Sequence, residues 1–207
     1  MRMMELISKV AAIVGLMSAL SVGGIAGEKK VPAKPIEVSM AMVEIPLSDE
    51  IQFGMDALRS VHPEAATGGG IGIIKGEISE ILERLLKVKG SILVSKGTAS
   101  TENETGEAVF TAGKGKVGKH GLKSGERSRV SVHPVIDSSG NTTLMVTQST
   151  ERVTGYKTKT LLTREPVIAK QTLETSMSVE PGKTAVIGGL IRNDGKRSFE
   201  SLLLLQP

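Results

Sequence analysis

The residues of this sequence that come nearest to a chemical motif are Gly182–Thr184, which match the last three positions of a phosphate-binding loop. The full loop also needs a glycine five positions earlier, because its glycine-rich backbone folds around the phosphates. That position is Met177, and Glu180 and Pro181 would lie inside the loop. A carboxylate there repels phosphate and a proline removes an amide donor. The tripeptide therefore predicts no nucleotide site.

A second glycine motif lies in a basic stretch, residues 113–129. Gly113 to Gly118 formally matches the dinucleotide-binding fingerprint, but no amphipathic helix follows it, so we predict no cofactor. The basic residues of the stretch are Lys114, Lys116, Lys119, Lys123, Arg127 and Arg129. Nucleic-acid binding would need aromatic side chains to stack on bases, and this stretch has none. The pattern favours a solvated, flexible loop and predicts no nucleic-acid partner.

Enzymatic chemistry finds no constellation in this sequence. The chain has no cysteine, and its three histidines, His62, His120 and His133, have no second ligand at metal-binding spacing. No serine lies in the sequence context of a catalytic nucleophile. We therefore predict no catalytic residues, no metal site, no small-molecule substrate and no enzymatic activity.

The N-terminal residues predict export. Val10–Gly24 carries no charge, basic residues precede it, and small residues suited to cleavage follow. Residues 1–26 are therefore interpreted as a cleaved signal peptide, with an uncleaved anchor as the other interpretation. Residues 27–35 form a polar linker, and residues 36–207 are long enough for one domain with a core.

Beyond the linker the pattern is mainly β, with one amphipathic helix. Residues 36–45 alternate as a strand, and the apolar spacing of residues 76–90 predicts a helix that packs one face on a sheet. Residues 129–136 and 142–149 flank a turn-rich loop and predict a hairpin. Residues 171–205 predict a three-stranded antiparallel meander, in which Pro181-Gly182 forms a type II turn. Residues 46–76 carry no pattern that predicts an element.

Four segments, in order, resemble the C-terminal domain of the bacterial secretins. They are IEVSMAMVEI (36–45), the helix followed by GSILVSKGTASTENETGEAVFTAG (90–113), RVSVHPVIDSSGNTTLMV (129–146) and REPVIAKQTLETSMSVEPGKTAVIGGLIRND (164–194). The residues expected to carry the family's structural motifs are Asn103, Ala108, Gly113, Pro134, Gly140, Gly182, Thr184, Gly188, Gly189 and Leu190. Gly188-Gly189 inside a strand predicts a bulge, a bend or a close backbone approach.

The resemblance implies a subunit of a ring-shaped outer-membrane channel that exports protein, a pilus or a filament, as in type II secretion. Each subunit would contribute antiparallel strands to a multi-subunit β-barrel. The implied partners are identical copies, other secretion or pilus components and the outer membrane. Polar side chains such as Thr172 and Glu174 would line the lumen.

This sequence resembles a short variant of the family. The periplasmic domains that precede this domain in full-length secretins are not recognised, and neither is the hydrophobic lip segment after Leu190. The alternative is a soluble periplasmic structural or binding protein that uses a shortened secretin-like domain and associates with a separate secretion channel.

Overall fold

The part of the protein that can be described begins after the predicted signal peptide. A computed structural model describes residues 35–68, 70–101, 106–118, 121–160, 163–193 and 195–207. Residues 33–207 form one compact unit. The predicted signal peptide, Asn103 and all but the last residue of the predicted linker lie outside the described residues.

The described residues form twelve strands and two short helices. In chain order these are β1 (Glu37–Pro46), α1 (Gly54–Val61), β2 (Ala66–Gly68), β3 (Ile71–Lys75), α2 (Ile78–Leu85), β4 (Ile92–Ser100), β5 (Ala108–Ala112), β6 (Lys116–Gly118), β7 (Gly121–Ser124), β8 (Glu126–Ile136), β9 (Thr142–Thr160), β10 (Thr163–Val179), β11 (Lys183–Asn193) and β12 (Ser198–Gln206).

Ten of these strands build two antiparallel sheets. The six-stranded sheet has the order β2-β3-β11-β12-β1-β4, and the four-stranded sheet has the order β10-β9-β8-β5. Strands β6 and β7 form a separate small hairpin. Strand content and pairing confirm the predicted mainly β, antiparallel fold class, including the β8–β9 hairpin, whose register joins Ile136 to Thr142.

The six-stranded sheet is the middle layer of the domain. Alternate side chains of Leu202–Leu205 in β12 pack on opposite faces of this sheet. Leu203 belongs to the same apolar cluster as Leu144 of β9, and Leu204 belongs to the same cluster as Leu85 of α2. All four leucines are fully buried. A sheet covered on both faces needs continuous apolar runs rather than alternation, which explains this sequence pattern.

The two helices cover the face of the six-stranded sheet opposite the four-stranded sheet. Of the apolar residues that predicted α2, Ile78, Ile81, Leu82 and Leu85 are buried, whereas Leu86 follows the last residue of the helix and is exposed. The structure adds α1 within residues 46–76, where the sequence predicted no element. Helix α1 buries Met55 and Leu58, and the Phe53 N–H donates to Asp56 Oδ2 at 2.9 Å at its start. Eight residues with so few apolar positions give a weak periodic signal.

The predicted meander over residues 171–205 is wrong for its first strand. Strands β11 and β12 pair as a hairpin, but β10 pairs with β9 in the other sheet. The turn forms as predicted, with the Lys183 N–H donating to Glu180 O at 3.1 Å and Gly182 at φ +72°. Ala185–Ile187 are all buried, so β11 suits the middle layer, whereas β10 buries only alternate side chains.

Strands β9 and β10 extend beyond the four-stranded sheet. The last β8–β9 pair joins Glu126 to Arg152, and beyond it residues 153–160 and 163–168 pair as a two-stranded segment, here named the ribbon. The β6–β7 hairpin contacts it, since Tyr156 Oη donates to Lys123 O at 3.0 Å. The basic stretch predicted as a loop therefore contains this hairpin.

Candidate functional site

The Gly188-Gly189 pair forms an irregularity in the middle of β11. The pairing register between β11 and β12 shifts between Ile187 and Leu190, and Gly189 has φ +116°, a conformation that side chains with a Cβ rarely adopt. The Gly188 N–H donates to Gly70 O at 2.8 Å. The two glycines therefore produce a bulge whose backbone contacts a neighbouring loop.

A buried carboxylate fixes this bulge to the first turn of α1. Glu200 of β12 is only 3% exposed. Its Oε1 accepts a hydrogen bond from the Gly189 N–H at 2.7 Å, and its Oε2 accepts one from the Gly54 N–H at 2.8 Å. Gly54 is the first residue of α1, where unpaired N–H groups and the helix dipole favour a negative charge. Glu200 thus links α1, β11 and β12.

Close packing around Glu200 accounts for two of the glycines. A Cβ on Gly188 would lie 2.4 Å from Glu200 Oε1, and a Cβ on Gly54 would lie 2.8 Å from Leu202 Cδ2. Both distances are below van der Waals contact. The Gly-Gly pair is predictable from the sequence, but Glu200 was not predicted, although a lone carboxylate before the apolar run Leu202–Leu205 is a visible signal.

Gly182 and Thr184 lie together at the start of β11. The Thr184 hydroxyl donates to Gly76 O at 2.9 Å, and the Gly76 N–H donates to Gly182 O at 3.1 Å. Thr184 is fully buried. These bonds join the turn after β10 to the turn before α2, so the residues that resembled a phosphate loop satisfy backbone groups of the fold.

The other motif residues lie at separate turns and strands. Ala108 of β5 is buried between the two sheets. A Cβ on Gly113 would lie 2.4 Å from Glu126 O. Gly140, at φ +83°, donates to Asp137 O at 3.0 Å in the β8–β9 turn. Leu190 is buried beside the bulge. The structure therefore does not bring the motif residues together into one site.

Pro134 occupies a stretch of β8 that pairs, among the described strands, with β9 alone. Strand β5 pairs with β8 as far as Val132, whereas β9 continues to Ile136. A proline cannot donate to a sheet ladder and is tolerated where a strand lies at an edge. Its position in this part of β8 fits that rule.

The two histidines that the structure describes, His62 and His133, lie in different elements of the fold. His62 is buried, and its Nδ1 lies 2.9 Å from Glu64 Oε1, a hydrogen bond that lowers the pKa of Glu64. His133 is exposed on β8, and His120 lies outside the described residues. Within the described ranges, no group of three His, Cys, Asp or Glu side chains is placed to hold a metal ion.

One end of the space between the two sheets is polar. Arg192 of β11 binds Glu44 of β1 through two hydrogen bonds of 2.9 and 2.7 Å, and its guanidinium lies 4.4 Å from the Phe199 ring centroid. From the opposite sheet, Arg152 donates to Asn193 O at 2.7 Å. These groups lie beside a cavity of about 250 Å³.

Glu126 of β8 also lines this cavity. Burial raises the pKa of the Glu126 carboxyl, and the negative charge of Glu44 raises it further, while Arg192 and Arg152 oppose the shift. Arg152 Nε is 4.0 Å from Glu126 Oε2, at the limit of an ion pair. At this end, the Arg152 side chain connects the two sheets through its hydrogen bond to Asn193 O.

Both sheets end in strands with an unpaired edge among the described residues. These edge strands are β2 and β4 in the six-stranded sheet and β5 and β10 in the four-stranded sheet. Strand β10 is the longest of the four, with 17 residues. Because each sheet has an even number of antiparallel strands, its two edges run in opposite directions. One edge of a copy can thus extend the other edge of a second copy in antiparallel pairing.

The outward face of the four-stranded sheet is polar. Along β10, Thr172, Glu174, Ser176 and Ser178 are exposed, whereas Met177 is buried against the six-stranded sheet. Polar and apolar side chains in this part of β10 therefore alternate between the outward and the inward face. Among the described residues, no helix is long and apolar enough to cross a membrane.

Comparison with known proteins identifies the family. The model of the family described as "Secretin: Bacterial type II and III secretion system protein" matches residues 87–206, more than half of the chain. No curated protein sequence matches the chain.

Several solved structures are similar at low identity. InvG, the secretin of the Salmonella SPI-1 type III secretion injectisome, is 14% identical with a TM-score of 0.38, over 83% of this chain and 61% of InvG. GspD, a type II secretin from enteropathogenic Escherichia coli, is 14% identical with a TM-score of 0.33, over 83% of this chain and 67% of GspD. GspD in the ETEC pilotin–secretin complex AspS–GspD is 12% identical with a TM-score of 0.34, over 84% of this chain and 49% of that chain.

The chain thus spans about six-tenths of the InvG chain that it resembles. The family match runs from β4 to β12, so it covers the whole four-stranded sheet and three strands of the six-stranded sheet, and it includes the Gly-Gly bulge and Glu200. The chain belongs to the secretin family of bacterial type II and III secretion system proteins.

Proposed function

We propose that the chain is a subunit of a ring-shaped secretin-type channel in the outer membrane, through which protein, a pilus or a filament leaves the cell. Secretin family membership supports a role in a secretion channel. The observation that carries the ring is the pair of oppositely directed open edges, β5 and β10, on the four-stranded sheet.

Unpaired strand edges leave N–H and C=O groups without partners, and proteins either cover such edges or pair them. In a ring, β5 of one copy pairs with β10 of the next. The repeated head-to-tail contact closes and leaves no edge. The sheet then becomes the wall of a large barrel, because a closed sheet is the only arrangement without free edges.

The ribbon supports the same arrangement. A two-stranded ribbon is at best marginally stable alone in water, and the segments of β9 and β10 beyond Arg152 expose Tyr156, Val167 and Ile168. Placed side by side around a ring, the ribbons of neighbouring copies extend the barrel wall. The polar outward face, with Thr172 and Glu174, lines the water-filled lumen.

Engineered disulfides test the proposed contact, because the natural chain has no cysteine. Thr111 of β5 is replaced by Cys and combined with Thr172→Cys, Glu174→Cys or Ser176→Cys of β10, all on the outward face. If β5 and β10 join neighbouring copies, at least one combination gives a ladder of covalent multimers on a non-reducing gel after oxidation.

A matched control uses two strands that pair inside one copy. Thr147 of β9 lies directly opposite Glu174 of β10, so T147C/E174C closes within the subunit and gives no ladder.

Electron microscopy of the exported chain shows rings if the proposal is right. A monomer by light scattering in both buffer and detergent, with no ladder from any combination, overturns it. Free release from the periplasm would instead support the soluble alternative.

A further inference from the structure

The outward face of the four-stranded sheet carries a basic cleft that the proposed channel role does not by itself require. The cleft is about 310 Å³ and is lined by Arg127, Arg129, Ser149, Glu151 and Lys170. These residues come from three neighbouring strands, and we name them the basic cleft. Three cations and one carboxylate give it an excess of positive charge.

Strand register explains why these charges meet. Arg127 of β8 lies opposite Glu151 of β9, and Glu151 lies opposite Lys170 of β10. Arg129 and Ser149 form the next pair on the same face. The side chains therefore stand in two adjacent rows across the sheet, close enough to surround one small ligand.

The cations of the cleft outnumber the carboxylates beside them, which are Glu151 and Glu107. Within the described residues, neither Arg127 nor Lys170 has an ion-pair partner within 4.0 Å, and Arg129 reaches Glu107 only at 4.0 Å. A group of arginines with unused donors suits a carboxylate or phosphate, because the guanidinium presents two parallel N–H groups.

We propose that the basic cleft binds compact oxyanions, carboxylate or phosphate groups, and that in the assembled ring it makes the lumen selective for anions. The second statement rests on the proposed function, since it needs this face to line a pore. Repeated around a ring, each cleft contributes to one belt of positive potential, which concentrates anions and repels cations.

In the first test, inorganic phosphate is added to the exported chain, and its binding is measured by nuclear magnetic resonance. Backbone amide signals of residues 149–151 shift with phosphate in the natural protein. In Arg127→Gln/Lys170→Gln, binding weakens about tenfold, as expected from the loss of two surface charge contacts. The control Lys87→Gln/Lys89→Gln removes the same charge from the exposed segment after α2 and leaves the shifts unchanged.

The second test measures the reversal potential of reconstituted channels in a potassium chloride gradient. The natural ring passes chloride in preference to potassium, and in R127Q/K170Q the permeability ratio falls toward one. Polyglutamate, used as the anion instead of the phosphate of the first test, distinguishes a carboxylate carried by a polymer from a free ion. It blocks the chloride current only if the belt also binds anionic polymers.

The outcomes separate this inference from the ring itself. An absence of phosphate-dependent shifts at residues 149–151, or equal shifts in R127Q/K170Q, overturns the cleft even if no ring forms. Rings that are visible by microscopy but prefer potassium overturn the anion-selective lumen and leave the proposed channel intact. If the urea unfolding curves of the variants and the natural chain coincide, misfolding is excluded as the cause of weaker phosphate binding. If the double variant unfolds, the single variant K170Q replaces it in both tests.

Discussion

Replacing Gly188 by alanine tests the contact between the bulge and Glu200. The added methyl group would lie 2.4 Å from Glu200 Oε1 and 3.1 Å from Leu202 Cδ2. Glu200 is buried and held at both oxygens by backbone N–H groups. The carboxylate therefore has no direction in which to move that keeps both hydrogen bonds.

The expected loss follows from these two effects. Overpacking a filled interior costs about 1–3 kcal/mol. Displacing a carboxylate from a backbone N–H costs roughly another 1–2 kcal/mol, because hydrogen bonds to charged groups are stronger than neutral ones. We expect Gly188→Ala to lower the free energy of unfolding by about 2–5 kcal/mol.

The measurement is urea denaturation of the protein, followed by circular dichroism, with Gly155→Ala as the matched control. A Cβ on Gly155 of the ribbon meets no atom within 4 Å, and this glycine does not have a positive φ. Its replacement should change stability by less than about 1 kcal/mol, with stabilisation favoured because alanine restricts the unfolded chain.

Two results would refute this reasoning. One is a loss below about 1 kcal/mol in G188A with an unchanged denaturant slope, since overpacking must cost more than that at a rigid site. The other is an equal loss in both variants, which would mean that the cost arises from the loss of glycine as such rather than from the contact with Glu200.

Three further predictions concern charges and turns. Burial and Glu44 hold the pKa of Glu126 above 4.5. The contribution of this carboxyl to stability is therefore complete below pH 4.5 and is lost as the pH rises through the raised pKa. Glu126→Gln should remove this loss, and equal pH profiles of unfolding for the variant and the natural protein would contradict the prediction. Arg192→Lys loses the two-pronged bond to Glu44 and should cost about 1–3 kcal/mol in urea denaturation; no loss would show that one ammonium suffices. Gly182→Ala forces φ near +72° on alanine and should lower the thermal midpoint by costing about 1–2 kcal/mol, whereas Gly97→Ala, with open space, should not.

Elements determined by neighbouring residues could be predicted from the sequence. The β8–β9 hairpin follows from turn formers between two strand patterns, and α2 follows from apolar spacing. The Pro181-Gly182 turn depends only on the backbone preferences of those two residues. Each of these predictions needs no knowledge of what packs against the segment.

The assignment of strands to layers could not be predicted locally. A tight turn normally indicates a hairpin, but here Pro181-Gly182 carries the chain from one sheet to the other. What decides this is burial on both sides of β11, which depends on α1 and α2 as well as on the four-stranded sheet. The information was present in the continuous apolar run Ala185–Ile187, read against the one-sided pattern of β10.

The polar contacts were missed for the same reason. Glu200 binds Gly54, 146 positions away, and Arg192 binds Glu44, 148 positions away. Sequence spacing gives no information about pairs this distant. A charged residue next to a buried strand predicts that some partner exists, but it does not identify that partner.

The pairing of β1 with β12 has a consequence for biogenesis. Residues 39–46 align along residues 199–206 in the centre of the six-stranded sheet, so the first and last strands of the domain are immediate neighbours. A chain that leaves the ribosome with its N-terminus first cannot complete this sheet until β12 has been released. Until then, its long apolar strands remain uncovered, and contact with a holding chaperone or with other nascent copies competes with correct closure.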